Sequence, residues 1–114
     1  MKTIKKTIYP NGTVQYYQND KLHREDGPAI EFEDGSVQWY KNNLLHREDG
    51  PAVIKYDYTG KIAFIEYYLD DINYTKEEWM LKLRKNKLKK FQKSLRSIPI
   101  HTDPRIDPTT DPDR

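Results

Sequence analysis

The 114-residue chain contains no cysteine, which excludes disulfide bonds and thiolate metal ligands and favours an intracellular setting. No apolar run approaches the roughly 20 residues that a membrane-spanning helix needs, so we expect no membrane span. The stretch MKTIKKTIYPNG lacks the apolar segment of a signal peptide, and we expect no export by that route. Hydrophobic residues make up only 35%, which excludes a deep aliphatic core and makes the nine tyrosines important contact residues.

Charged residues are distributed in blocks along the chain. Residues 1–78 hold ten Lys and Arg against fourteen Asp and Glu. Residues 79–100 hold eight basic residues and no acidic one, whereas residues 101–114 hold two Arg and four Asp. Blocks of opposite charge typically serve different functions. We therefore expect the acidic, basic and terminal segments to have separate roles.

An octapeptide, LHREDGPA, occurs at 22–29 and again at 45–52, 23 residues later. The strand-like segments before the two copies are also similar, with Gln15-Tyr16-Tyr17 matching Gln38-Trp39-Tyr40. A third, degraded unit contains Tyr67-Tyr68-Leu69 and lacks the octapeptide. A fixed period of this kind predicts stacked copies of one supersecondary unit.

Each unit has the composition of a β-hairpin. Turn pairs such as Asn11-Gly12 and Asp34-Gly35 supply a positive φ at low cost, and Asn42-Asn43 marks a turn at the opposite end. The short runs between them are rich in Val, Ile, Tyr, Phe and Trp, which suit a pleated sheet. The pattern predicts a mainly β fold over 1–74: an antiparallel meander of tandem hairpins, capped by a C-terminal helix.

We interpret the octapeptide as a connector between repeats. The connector residues are His23, Asp26, Gly27, Pro28, His46, Asp49, Gly50 and Pro51. We expect the glycines to adopt a backbone angle that other residues resist and the prolines to fix re-entry into the next strand. The aspartates are expected to accept turn amides and the histidines to donate to backbone carbonyls. Arg24 with Glu25, and Arg47 with Glu48, are expected to pair within a loop or with the copy one repeat away.

A metal or acid–base site built from His23, Asp26, His46 and Asp49 is the alternative interpretation. Against it, active sites seldom occur as identical tandem copies, because a reacting atom needs one asymmetric set of groups. The third unit lacks the loop, and a flat meander does not bring the two histidines together. We therefore expect no catalytic residue, no metal and no cofactor.

The 23-residue period, with its aromatic-rich strand, Asn/Gly turn, His-containing return and Asp-Gly turn, resembles the MORN repeat. The LHREDGPA variant is similar to MORN-like repeat proteins of bacteriophages and large DNA viruses, over roughly residues 8–80. Two extra residues stand where His-Gly-x-Gly would follow in the standard pattern. The resemblance implies a non-catalytic β-repeat scaffold for protein or lipid contacts, in a host cytoplasm or a virion.

The periodicity changes to that of a helix after Ile72. Thr75 and Glu78 form a capping box, and we predict a helix over 75–97 that ends near Arg96, before Pro99. We expect its first two turns to cap the open end of the sheet. The predicted apolar side comprises Met80, Leu81, Leu88, Phe91 and Leu95, with Leu83 flanking it. The predicted basic stripe comprises Lys82, Lys85, Lys89, Lys93 and Arg96.

The basic stripe is open to several interpretations. A solvated helix face is the simplest one, followed by contact with an acidic protein surface or with nucleic-acid phosphates. Membrane-surface binding needs a more continuous apolar side than Arg84 and Lys87 allow. The sequence alone does not choose among these interpretations.

The terminal segment 98–114 contains three Asp-Pro pairs, at Asp103, Asp107 and Asp111. Proline blocks helices and sheet ladders, so this tail should be extended, and we expect it to dock on a neighbouring chain. Our leading hypothesis is a non-enzymatic interaction scaffold of phage or viral type, either an assembly component or a binder of a host factor. A nucleic-acid-associated protein that uses helix residues 82–96 is the alternative.

Overall fold

The computed structural model describes residues 2–96, with side chains through Gln92. The tail at 98–114, and with it the predicted docking of that tail, lies outside the described residues. The fold is mainly antiparallel β with one C-terminal helix, as the sequence predicts. The described chain divides into two units after Leu83, and the division falls within the helix.

Ten short strands and one helix form the described part of the chain. The strands are β1 Ile4–Ile8, β2 Val14–Gln18, β3 Lys21–Leu22, β4 Ile30–Glu31, β5 Val37–Gln38, β6 Tyr40–Lys41, β7 Leu44–Leu45, β8 Val53–Tyr56, β9 Ile62–Leu69 and β10 Ile72–Tyr74, and the helix α1 is Lys76–Arg96. Eight strands form one sheet in the order β1-β2-β4-β5-β8-β9-β10, with β3 paired to β2. The hairpin β6-β7 is separate. Neighbouring strands follow chain order apart from these small hairpins, as in a meander.

The turns have the backbone angles that their residues predict. Gly12, Gly35 and Gly60 have φ near +90° at one end of the sheet. The paired Asn and Asp residues at the opposite end all have positive φ: Asn19, Asp20, Asn42, Asn43, Asp70 and Asp71. Because Asn and Asp tolerate the left-handed region better than bulkier residues, each hairpin reverses without a glycine there. The predicted turn chemistry is confirmed.

The hydrophobic core is thin and follows the strands rather than filling a deep interior. Six apolar side chains are buried among the described residues, namely Ala29, Ile30, Ala52, Val53, Leu69 and Trp79. Cross-strand register also aligns one row on a single face, in the order Ile8, Val14, Glu31, Val37, Ile54 and Ile65. Because so little apolar area is buried, contacts between polar and aromatic side chains are needed to hold neighbouring repeats together.

The hairpin turn at Asp34 makes a testable acid-sensitive contact. Lys55 Nζ donates to Asp34 Oδ2 at 2.9 Å, and the backbone N–H of Ser36 donates to Oδ1 at 2.8 Å. The Lys55 ammonium first, and the Ser36 amide second, lower the pKa of Asp34 from 3.8 to about 2. A depressed carboxyl pKa means that ionised Asp34 stabilises the fold above about pH 4, and that this contribution disappears as the pH falls towards 2.

We expect Asp34→Asn to be less stable than the wild type at pH 7, because the amide keeps the Ser36 contact and loses the charge opposite Lys55. The difference in urea midpoint should shrink as the pH falls from about 4 to about 2, where wild-type Asp34 is protonated. Urea titrations of both proteins across this range measure the difference. A gap that stays constant with pH would contradict the assignment. Lys61→Ala, on an exposed lysine, is the control for a general charge effect.

Candidate functional site

The arginine of the first octapeptide lies flat on an aromatic ring from the preceding strand. Arg24 Cζ is 3.9 Å from the centroid of the Tyr16 ring, a cation–π geometry. Its Nη1 donates to the carbonyl of Pro28 at 3.1 Å and to Glu31 at 3.0 Å, and its Nε donates to Asp26 at 3.2 Å. The guanidinium therefore connects β2, through Tyr16, with its own loop and with β4, through Glu31.

The second octapeptide repeats this arrangement with tryptophan as the ring. Arg47 Cζ is 3.9 Å from the Trp39 centroid, Nη1 donates to the Pro51 carbonyl at 3.0 Å, and Nε donates to Asp49 at 2.8 Å. The predicted pairing of each arginine with the adjacent glutamate is therefore wrong. The aspartates accept from the guanidinium, because this side chain folds back over the ring and its Nε faces the loop.

The glycines of the octapeptide make room for these arginines. Gly27 and Gly50 are not among the positive-φ residues, so the predicted role of an unusual backbone angle is wrong. A Cβ at Gly27 would lie 3.0 Å from Arg24 Cζ, and one at Gly50 would lie 2.9 Å from Arg47 Cζ. Each guanidinium thus lies between an aromatic ring and a bare Cα, and a side chain at the glycine would displace it.

The histidines connect each repeat to the next. His23 is 7% exposed, and its Nδ1 accepts from the backbone N–H of Asn42 at 3.1 Å. His46 Nδ1 accepts from the backbone N–H of Asp70 at 3.0 Å in the same way. The predicted donation to a carbonyl is wrong, because Nδ1 accepts a backbone N–H of the following unit. Nε2 faces a glutamate of its own loop, Glu25 at 3.2 Å for His23.

The Nε2 atom of each histidine contacts a glutamate of the same loop. Hydrogen bonding to His23, followed by the charge of Lys2, lowers the pKa of the Glu25 carboxyl. Glu48 makes the corresponding contact in the second loop, with its Oε2 2.9 Å from His46 Nε2. The acid and the imidazole of each loop therefore contact each other, and both belong to the junction between repeats.

Two further hydrogen bonds complete each junction. The backbone N–H of Asn43 donates to the Leu22 carbonyl at 2.9 Å, and the Leu22 N–H donates to Asn43 Oδ1 at 2.8 Å. Asp71 and Leu45 exchange the same pair at 2.8 and 2.7 Å. The side chain of Asn43 or Asp71 thus accepts a backbone N–H as a neighbouring strand would, and this explains why Asn or Asp stands in each of these hairpin turns.

A second repeated contact lies along the strands. The phenols of Tyr17, Tyr40 and Tyr68 contact Gln15, Gln38 and Glu66, each two residues earlier in the chain. Burial raises the pKa of all three phenols, which keeps them protonated and able to donate. The repeated Gln-x-Tyr or Glu-x-Tyr spacing is therefore structural.

Trp79 of α1 takes the place of the missing third arginine. Its ring centroid is 4.8 Å from that of Tyr67, which is the third-unit equivalent of Tyr16 and Trp39. Its indole Nε1–H donates to the carbonyl of Arg47 at 3.0 Å. Because the third unit lacks the octapeptide, the helix supplies the group that covers the last aromatic ring. The expectation that the first turns of the helix cap the sheet is confirmed.

The helix begins as the sequence predicts but buries a different side. Thr75 and Glu78 make both hydrogen bonds of the capping box, at 3.0 and 3.1 Å. Trp79 is buried and Leu83 is half-buried. The predicted apolar side is exposed instead: Met80 by 47%, Leu81 by 53%, Leu88 by 53% and Phe91 by 60%. Leu95 lies beyond the described side chains. An amphipathic pattern does not identify the face that a sheet will cover.

The predicted basic stripe is partly described. Lys85 and Lys89 are exposed and Lys82 is half-buried, whereas the side chains of Lys93 and Arg96 lie outside the described part. Up to Gln92, no ion pair joins a lysine or arginine of α1 to an acidic residue.

The alternative metal or acid–base site does not assemble in the described residues. His23 contacts Glu25 and Asn42, whereas His46 contacts Glu48 and Asp70, so each imidazole has its own partners. Asp26 and Asp49 contact arginines. Within residues 2–96, no group of three or more His, Asp and Glu side chains has the arrangement of a metal site. The four residues lie in two separate copies of one structural unit.

Comparisons with known proteins add no relative. No family model matches the chain, and no curated protein or solved structure shows significant similarity to it. The resemblance to MORN repeats therefore stays a prediction. Over residues 2–96, no helix has both the length and the apolar content that a membrane crossing requires.

Sequence reasoning missed the contact between arginine and aromatic ring. The signal was present, because each arginine follows its ring by eight residues in both copies, Tyr16 to Arg24 and Trp39 to Arg47. A spacing conserved between copies indicates a contact that the repeat needs. The role of Trp79 had no such signal, since it occurs once and twelve residues after Tyr67.

Proposed function

We propose that this protein is a non-catalytic scaffold that binds an acidic protein partner through the basic stripe of α1. The observation that carries the proposal is the contrast between two sets of charged residues. The histidines, arginines and acids of the repeat loops are engaged in contacts within and between repeats. Lys85, Lys87, Lys89 and Lys90 of α1 are exposed, in a segment, 79–100, whose sequence contains no acidic residue.

The exposed apolar residues of α1 support a protein partner over simple solvation. Leu88 and Phe91 are large and more than half exposed, and they lie within one turn of Lys85 or Lys89 on the same helix. Large apolar side chains next to cations are typical of helices that dock in an acidic, partly apolar groove. The sheet is then a rigid platform, in agreement with the implied phage or viral role as an assembly component or host-factor binder.

A comparative capture experiment tests the proposal. Immobilised wild-type protein should retain a defined protein from the cells that produce it, after nuclease treatment. Lys85→Glu combined with Lys89→Glu should lose that protein, because two attractive contacts become repulsive. Lys21→Glu combined with Lys61→Glu changes the net charge equally on exposed residues outside α1 and β1 and should retain it. Equal retention by all three proteins, or by none, would refute the proposed role of α1.

Nucleic-acid binding is the second candidate, because eight basic residues without an acid form a phosphate-binding pattern. In that case the logarithm of the association constant for a labelled duplex should fall linearly with the logarithm of salt concentration. The helix variant should abolish duplex binding and the sheet variant should not. Capture that disappears on nuclease treatment would favour this function over the protein partner.

A further inference from the structure

Strand β1 forms an uncovered end of the sheet within the part of the chain that the structure describes. It pairs with β2 along its whole length and with no other strand in residues 2–96. Ile4 is 71% exposed and Ile8 is 67% exposed, although isoleucine is normally among the most buried residues. An edge strand with exposed branched apolar residues is a surface on which another strand can pair.

The backbone of β1 has a defined set of outward-facing groups. The carbonyl of Thr3 and the N–H of Tyr9 both bond across to the β2 side, to Asn19 and Thr13. In an antiparallel pair, hydrogen-bonded and non-hydrogen-bonded residues alternate. The N–H and carbonyl groups of Ile4, Lys6 and Ile8 therefore face away from β2 and are available to an added strand.

The side chains of β1 specify what such a strand must carry. Ile4, Lys6 and Ile8 share one face with Val14 and Tyr16, and Lys5 and Thr7 lie on the other face. A complementary strand would place an acid opposite each of Lys5 and Lys6 and an apolar residue opposite each isoleucine, because opposite-charge and apolar cross-strand pairs are favourable. The two lysines point to opposite faces, so the two acids must be adjacent.

The same lysines disfavour a second copy of this chain as the added strand. Antiparallel self-pairing centred on Lys5, on Lys6 or between them would place lysine opposite lysine in every case. Like charges directly opposite each other are destabilising. In these registers the edge lysines oppose pairing with a second copy, whereas they are compatible with an acidic strand.

We propose that β1 binds, by antiparallel strand addition, an extended segment of a partner protein in which two adjacent acidic residues lie between apolar residues. A groove of about 470 Å³ begins beside Ile4, and its lining includes the bases Lys2 and Arg24, the acids Glu25 and Asp26, and Tyr16. This groove has room for the residues of the partner that follow the one opposite Ile4. The proposal concerns the sheet edge and is independent of the function proposed for α1.

A synthetic peptide tests the proposal directly. The probe is the acetylated, amidated peptide Val-Thr-Glu-Glu-Ile, which is complementary to β1 in the antiparallel register. We expect saturable binding below about 1 mM in an NMR titration of the full chain. Amide exchange should slow at Ile4, Lys6 and Ile8 and remain unchanged at Lys5 and Thr7, whose amides already face β2. A peptide of the same composition, Glu-Val-Thr-Ile-Glu, should bind at least about tenfold more weakly.

A charge swap separates specific pairing from general attraction. Lys5→Glu combined with Lys6→Glu should weaken binding of the probe at least about tenfold, and Val-Thr-Lys-Lys-Ile should then bind the variant in its place. Lys85→Glu combined with Lys89→Glu, on α1, should bind the probe like the wild type, so failure of one proposal leaves the other standing. Three results would each overturn the proposal: no saturable shifts, equal binding of the scrambled peptide, or protection that does not alternate along β1.

Discussion

The Trp79→Ala variant is expected to lose about 3–5 kcal/mol of unfolding free energy, the usual cost of removing a buried aromatic side chain. Trp79 is 8% exposed, stacks on Tyr67 and donates to the Arg47 carbonyl at 3.0 Å. Because small domains are stable by only about 5–15 kcal/mol, this loss should remove much of the total. The effect is large because the Trp79 side chain both covers the Tyr67 ring and donates a hydrogen bond to the Arg47 carbonyl.

Urea unfolding of three variants at pH 7 measures the contribution of Trp79. Trp79→Phe keeps an aromatic ring against Tyr67 and loses the indole donor, so it should cost about 1–3 kcal/mol. Met80→Ala, at an exposed neighbouring position, should stay within about 0.5 kcal/mol of the wild type. A Trp79→Ala protein as stable as Met80→Ala would show that the helix does not cap the sheet.

The Arg47→Ala variant is expected to lose about 2–4 kcal/mol, the second-largest effect. A desolvated cation–π contact contributes up to about 2 kcal/mol, and loss of the donor to the Pro51 carbonyl costs about 1–3 kcal/mol. Arg47→Lys should recover only a small part of the unfolding free energy that Arg47→Ala loses, because an ammonium cannot lie flat on Trp39 while it donates to Asp49 and Pro51. An Arg47→Lys protein as stable as the wild type would show that only the positive charge matters, and would contradict a specific role for the guanidinium.

Arg24→Ala provides the matched measurement in the first repeat. Its ring partner is Tyr16, which binds cations less strongly than tryptophan, but its guanidinium also contacts Glu31 at 3.0 Å. We expect a loss similar to that of Arg47→Ala. Lys61→Ala, at an exposed lysine, should change the unfolding free energy by less than about 0.5 kcal/mol. Equal effects at Arg47 and Lys61 would contradict a structural role for the octapeptide arginine.

The sequence predicted those features that depend on residues close together in the chain. The hairpin turns follow from Asn, Asp and Gly at adjacent positions, and the start of α1 follows from Thr75 and Glu78, three residues apart. These contacts form within one turn of backbone, so local chemistry is sufficient to infer them. The 23-residue period then gave the meander, because identical units stack in the same way.

The contacts that failed prediction reach across strands or between repeats. The sequence predicts an unusual backbone angle for Gly50, yet its role depends on the guanidinium of Arg47, three residues earlier, which folds over Trp39. His46 contacts an amide 24 residues later, and no local pattern specifies that partner. The apolar side predicted for α1 is exposed, because a helical projection carries no information on where the sheet lies. Side-chain direction and tertiary neighbours decide all three cases.

The central claim is that the repeated octapeptide exists to hold an arginine between an aromatic ring and a glycine. Its most direct test is the unfolding free energy of Gly50→Ala in the wild-type and Arg47→Ala backgrounds. The added methyl group would meet Arg47 Cζ at 2.9 Å, and the guanidinium cannot move without losing Trp39, Asp49 or Pro51. We predict a cost of about 1–3 kcal/mol in the wild type and less than about 0.5 kcal/mol without the arginine, a coupling typical of residues in contact. Equal costs in the two backgrounds would contradict the account.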